Sequence, residues 1–257
     1  TLSFTQTALL LLIILTMMGG FIGSLAWWFD DPASFSWDLP PLASRMLAAA
    51  GWSFAVGCWF VLERPTLARL RLLIWMLIIY LVPLTIAILF FHLGRFDWQA
   101  PITYAFFVIV LSMIGAAVWQ LFYPTGIVST KNDLPADGLL RVWLWGAAVL
   151  TAMWGVALFL TDAGPSALIW VWPGDLLTSR LIAVMLWTIA TAAVFSLRST
   201  ETVPVTLDVL TVYGVGVVAA NLWAFAAAKP LYVGVFALLA IGSAAFWWRG
   251  REARVLS

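Results

Sequence analysis

The residues able to do chemistry in this chain are few, and their spacing is more informative than their number. There is one histidine and one cysteine. A lone imidazole can hold a chlorophyll magnesium or one face of a haem. It cannot build a bis-histidine haem site, and with a single thiol it cannot complete a zinc or copper set within the chain. His92 stands at the end of an apolar stretch, beside Gly94, Arg95 and Asp97. Two accounts compete there: a cofactor ligand, and a polar residue resting at the membrane interface. Cys58, between Gly57 and Trp59, reads as a small packing residue, because a thiol in apolar surroundings is inert.

A second pattern occurs twice. Ser44-Arg45 opens a short apolar stretch with Trp52 seven residues on, and Ser179-Arg180 opens another with Trp187 at the same spacing. A seven-residue step brings both side chains to roughly one helix face. A cation with an indole two turns away can bind an anion or a lipid headgroup, so Arg45, Arg180, Trp52 and Trp187 are the candidate ligand residues. The competing account is structural: arginines that snorkel to the interface, and tryptophans that pack helices. Ser44 and Ser179 are expected to cap free N–H groups, with Asp38 and Asp175 as nearby partners for the two arginines. No catalytic group is predicted. The chain holds no G-x-S-x-G, no phosphate loop and no H-E-x-x-H, and its one acidic doublet, Asp30-Asp31, reads as a solvated turn.

The elements that carry these residues follow from composition. Of 257 residues, 64% are hydrophobic and 10% charged, where an ordinary soluble domain carries about 25% charged residues. A net charge of +1 supplies no basic field for phosphate backbones, so nucleic acid is excluded as a partner. The fold class expected is an all-α integral membrane protein. A bilayer core needs about 20 apolar residues in a helix. Eight stretches qualify: 6–28, 46–62, 72–92, 102–122, 142–161, 180–197, 207–227 and 231–248. The second and sixth are short, so each is expected either to lie nearly upright or to borrow length from its flanks. The first reads as a span, since no basic segment precedes it and no small-residue cleavage site precedes Trp27-Trp28.

Nine of the thirteen Lys and Arg fall with the termini and the even-to-odd loops, and four (Arg45, Arg95, Arg180 and Lys229) fall opposite. The positive-inside rule then puts both termini in the cytoplasm. The loop charges and compactness point to a bacterial inner membrane. Seventeen tryptophans, many at span ends, form aromatic belts.

Displacing the chain on itself by 135 residues lays 42–62 on 177–197 with eight of twenty-one positions identical, Arg45 on Arg180 and Trp52 on Trp187 included. Gly20 falls on Gly155 in the same register. Two tandem four-helix repeats are therefore expected, 1–123 and 140–257, joined by a cytoplasmic linker at 124–139 rich in Pro, Gly and Asp. An even number of spans per repeat keeps both in parallel orientation.

No span carries an Asp, Glu, Lys, Arg or His in its central part; Asp208 and His92 lie near ends. Pumps and ion-coupled carriers need such groups at depth. The first expectation is thus a non-catalytic accessory or scaffold subunit of a larger membrane complex, with lipids and other membrane subunits as partners. The alternative is a binding or transport module for an apolar or amphipathic molecule such as a lipid, quinone or carotenoid. A lipid-modifying enzyme comes third. No cofactor is predicted; a lipid or pigment is the ligand class left open.

Overall fold

The computed structural model describes residues 3–31, 34, 39–124, 133–136, 138–160, 176–223 and 230–255, with side chains to 250. Among them there is no strand, and eight helices are long and apolar enough to cross a membrane: α1 (Phe4–Trp28), α2 (Pro41–Glu63), α3 (Leu67–Ala87), α4 (Pro101–Phe122), α5 (Gly138–Leu160), α6 (Leu176–Arg198), α7 (Val203–Trp223) and α8 (Pro230–Val255). Helices follow from solvent: in hydrocarbon every backbone N–H and C=O needs an internal partner.

Local signals set the helix starts. The side chains and backbone amides of Ser3 and Gln6 cap one another reciprocally at α1, with N···O distances of 3.2 and 2.8 Å. Proline takes the first position of α2 and of α4, where its missing N–H costs nothing. Thr66 caps α3 by accepting from the Arg69 amide at 3.3 Å. At α5, Gly138 takes φ +51°, a conformation that disfavours residues with a Cβ.

The two short stretches do borrow from their flanks. α2 begins at Pro41 and α6 at Leu176, so Arg45 and Arg180 lie in the second turn of their helices. α3 runs through Pro83 and continues as a π turn over Ile88–His92 and a 3₁₀ turn over Leu93–Arg95. Proline removes a ladder hydrogen bond, and a π turn re-aims the side chains that follow. Here His92 is buried while Phe90 and Phe91 stay exposed.

Four helices form the centre. α2 packs on α7, and α3 packs on α6. Each inner helix carries an outer one: α1 lies on α2, α4 on α3, α5 on α6 and α8 on α7. α6 is the most buried span, and α1 and α4 are the least. Close approach rests on small residues. A Cβ at Gly216 of α7 would fall 2.5 Å from Ala49 Cβ of α2, and one at Gly57 of α2 would fall 3.1 Å from Val209 of α7. Gly20 of α1 abuts Gly51 and Ala55 of α2, whereas Gly19 faces open space.

The end of the bundle that carries the chain termini is tied by polar contacts. Arg69 of α3, 5% exposed, donates to the Phe60 carbonyl of α2 at 2.8 Å and to the Glu201 carbonyl between α6 and α7 at 3.0 Å. Its Nε lies 3.2 Å from the Glu201 carboxylate, which Arg64 also approaches at 3.5 Å. Asp133 accepts from the Ser199 hydroxyl and from the Glu201 amide, pinning the segment before α5 to the α6–α7 turn. Trp247 of α8 donates to Asp208 of α7 at 3.0 Å, and Trp143 of α5 donates to Ser243 of α8 at 3.2 Å. Both indoles, expected in a lipid-facing belt, thus tie helices together.

Candidate functional site

The repeated Ser-Arg-Trp pattern lies at the other, distal end of the bundle. Ser44 and Ser179 are buried inside α2 and α6, and they do not cap those helices as expected. Helix starts four residues upstream of each arginine leave each serine in a regular turn. Each hydroxyl instead donates to a carbonyl at the end of the preceding helix: Ser44 to Trp27, Ser179 to Leu158. Asp38 and Asp175, the expected partners of the arginines, lie outside the described residues.

The two arginines are held differently. Arg180 sits between the rings of Phe91 and Phe159, with Cζ 4.8 and 5.4 Å from their centroids. Its Nε donates to the Phe159 carbonyl at 3.3 Å, and its Nη1 meets His92 Nε2 at 2.7 Å. A guanidinium has donors only, so this contact requires Nε2 as the acceptor and the proton on Nδ1. The Nε2 lone pair that would bind a metal is thereby directed at Arg180. His92, weighed as interfacial or as a cofactor ligand, is 8% exposed and clasps α3 to α6.

Arg45 rests over the Trp223 ring at 5.5 Å, at the distal end of α7. Its Nη1 donates to the Pro41 carbonyl at 3.3 Å, within its own helix. Its Nε is buried with no hydrogen-bond partner among the described residues. From Trp223 a row of indoles leads along the bundle: Trp223 to Trp28 with centroids 6.1 Å apart, Trp28 to Trp52 at 5.2 Å. Trp223 is exposed, and Trp28 and Trp52 are half-buried. Arg45 and Trp52 thus belong to one surface, bridged by the two other indoles. Trp187 instead stacks on Phe159 at 4.8 Å and donates to the Ala152 carbonyl at 3.3 Å, locking α6 to α5. The four candidate ligand residues therefore form two separate clusters, and they differ in kind.

Sequence spacing could not supply Trp28, Trp223, Phe91 or Phe159 as partners, because each comes from a different helix. It also could not reveal a third group. Tyr213 of α7 and Tyr232 of α8 pack against Phe236 with centroids 5.7 and 4.8 Å away, and Trp154 of α5 packs on the same ring at 5.7 Å. The two hydroxyls and the indole N–H are buried without a hydrogen-bond partner among the described residues. Each such group costs about 1–3 kcal/mol relative to a satisfied one. Among the described residues no three His, Cys, Asp or Glu side chains gather where a metal could bind.

No family model, no curated protein and no solved structure matches this chain.

Proposed function

We propose that this protein is a non-catalytic membrane module that binds an amphipathic anion, with its head on Arg45 and its apolar body on the Trp223–Trp28–Trp52 row. The contrast between the two arginines carries the proposal. Arg180 is spent on His92, a carbonyl and two rings, whereas Arg45 keeps a buried, unpartnered Nε beside an open aromatic wall. A planar fork of donors suits carboxylate or phosphate, and indole faces suit a lipid chain or a fused-ring body. Native mass spectrometry of protein extracted from its membrane tests this. The wild type should retain one amphipathic anion that the Arg45→Gln variant loses and the Arg180→Gln variant keeps. Equal retention by all three would refute it.

The same proposal takes the chain as two like-oriented four-helix repeats related by an axis along the membrane normal. The helix pairing supports this: α1–α2 corresponds to α5–α6, α2–α7 to α6–α3, and α3–α4 to α7–α8. So do the serine bonds, whose acceptors Trp27 and Leu158 stand 131 residues apart where the donors stand 135 apart. On that register the α5–α6 connection is four residues longer, and Ser24, not Gly20, becomes the counterpart of Gly155. The nine-to-four split of Lys and Arg supports a cytoplasmic terminal end in a bacterial inner membrane. Labelling single cysteines from either side of sealed vesicles tests it; opposite accessibility of 64 and 95 is expected, and accessibility from the same side would overturn it.

An accessory-subunit role remains a second proposal, favoured by the outward faces of α1 and α4. Both bury little of themselves, and Gly19 and Gly115 have open space where a neighbouring helix can approach. Native electrophoresis of mild-detergent extracts should then show a larger assembly; a lone monomer would sink it.

A further inference from the structure

A groove of about 330 Å³ opens at the terminal end of the bundle, between α3, α4 and α6. Its chemistry is graded along its depth. Arg71, four residues into α3, stands exposed at the mouth, and Gln120 projects from the last turn of α4. Trp75 lies one turn deeper on α3, and Leu70, Ile74 and Phe195 make the apolar walls. Two observations mark this as more than an accident of packing. Among the described residues the Arg71 guanidinium has no ion pair or hydrogen bond, although Arg64 and Arg69 nearby share Glu201. Gln120 is 92% buried as a residue, and its amide, which has no hydrogen bond among the described residues, stays open to the groove that it lines. An amide open to the groove can donate to and accept from a polar occupant.

We infer that this groove binds the head and first chain carbons of an anionic lipid, with Arg71 on the phosphate and Gln120 on a neighbouring hydroxyl or ester oxygen. The charge selects an anion, and the amide can donate to and accept from a glycerol backbone. The volume lies at the lower edge of the 300–1,000 Å³ typical of ligand clefts, too small for a whole lipid but sufficient for its polar end. The apolar walls then lead the chains from the interface into hydrocarbon. Cations clustered at this end favour an anionic leaflet by about 1 kcal/mol for each Lys or Arg near the surface. The groove is at the opposite end from Arg45 and stands independently of the proposal made for that residue.

The test is native mass spectrometry of the full-length protein titrated with phosphatidylglycerol, with phosphatidylcholine as the zwitterionic control. Arg71→Gln should weaken phosphatidylglycerol binding at least fivefold and leave phosphatidylcholine adducts unchanged. Gln120→Leu should weaken it two- to fivefold. Water-soluble glycerol phosphate, added in excess, should not displace the lipid, because it lacks the chain that the walls hold. Both variants should protect Cys58 from thiol reagents as the wild type does, which separates lost binding from lost folding. Equal affinity for the two lipids, unchanged affinity in Arg71→Gln, or displacement by glycerol phosphate would each overturn the inference.

Discussion

Replacing Arg69 with methionine should loosen the terminal end of the bundle by several kcal/mol. Methionine keeps the aliphatic stem and removes the guanidinium. Three partners are then left behind: the Phe60 carbonyl, the Glu201 carbonyl and the Glu201 carboxylate, which is 11% exposed. Breaking a buried pair from one side costs about 3–5 kcal/mol, because the remaining charge is uncompensated. Arg64, half-exposed and 3.5 Å away, compensates part of it, so the lower figure is the expectation. A convenient reporter lies two residues from Phe60. Cys58 is the only cysteine, and it is fully buried on α2. Its labelling by a fluorogenic maleimide follows the population of opened α2–α3 hairpin. At 1.4 kcal/mol per factor of ten, about 3 kcal/mol raises that rate more than a hundredfold. The double variant Arg69→Met with Glu201→Gln should recover at least tenfold of the loss, since it removes the stranded carboxylate. A labelling rate within threefold of wild type in Arg69→Met, or no recovery in the double variant, would refute the reasoning.

Three further expectations rest on single contacts. Gly216→Val should destabilise by about 1–3 kcal/mol in chemical unfolding, because its first added carbon already meets Ala49 at 2.5 Å. Tyr213→Phe and Tyr232→Phe should be neutral or stabilising by up to about 1 kcal/mol, since each removes a buried hydroxyl that has no partner; a loss above 1 kcal/mol would show a partner bound there. His92→Phe should speed hydrogen exchange at the distal turns of α3 and α6, where the Arg180 clasp is lost, and leave the α2–α7 pair unchanged.

Span number and helix type were legible because a 20-residue apolar run has one stable form in lipid. Span ends were less so. Leu42, Ala43, Leu176 and Leu177 extend α2 and α6 by a turn, and that turn converts Ser44 and Ser179 from expected caps into interhelical donors. The twice-occurring Ser-Arg-Trp pattern pointed to Arg45 and Arg180 together, yet their surroundings come from α7 and α3, whose ends share little: Trp223 stands where a 135-residue shift puts Ile88. Arg69 counted only as one more cation at the terminal end, because its burial depends on Phe60 and Glu201 from other helices. His92 could not be aimed from its neighbours, since the π turn that buries it leaves no sequence period.

The most direct test is an experimental map of the protein in nanodiscs made from its native lipids. Elongated density along Trp223, Trp28 and Trp52, ending at Arg45, with Arg180 closed on His92 and bare of ligand, is the predicted result. A bare indole row, or equal densities at both arginines, would contradict the assignment.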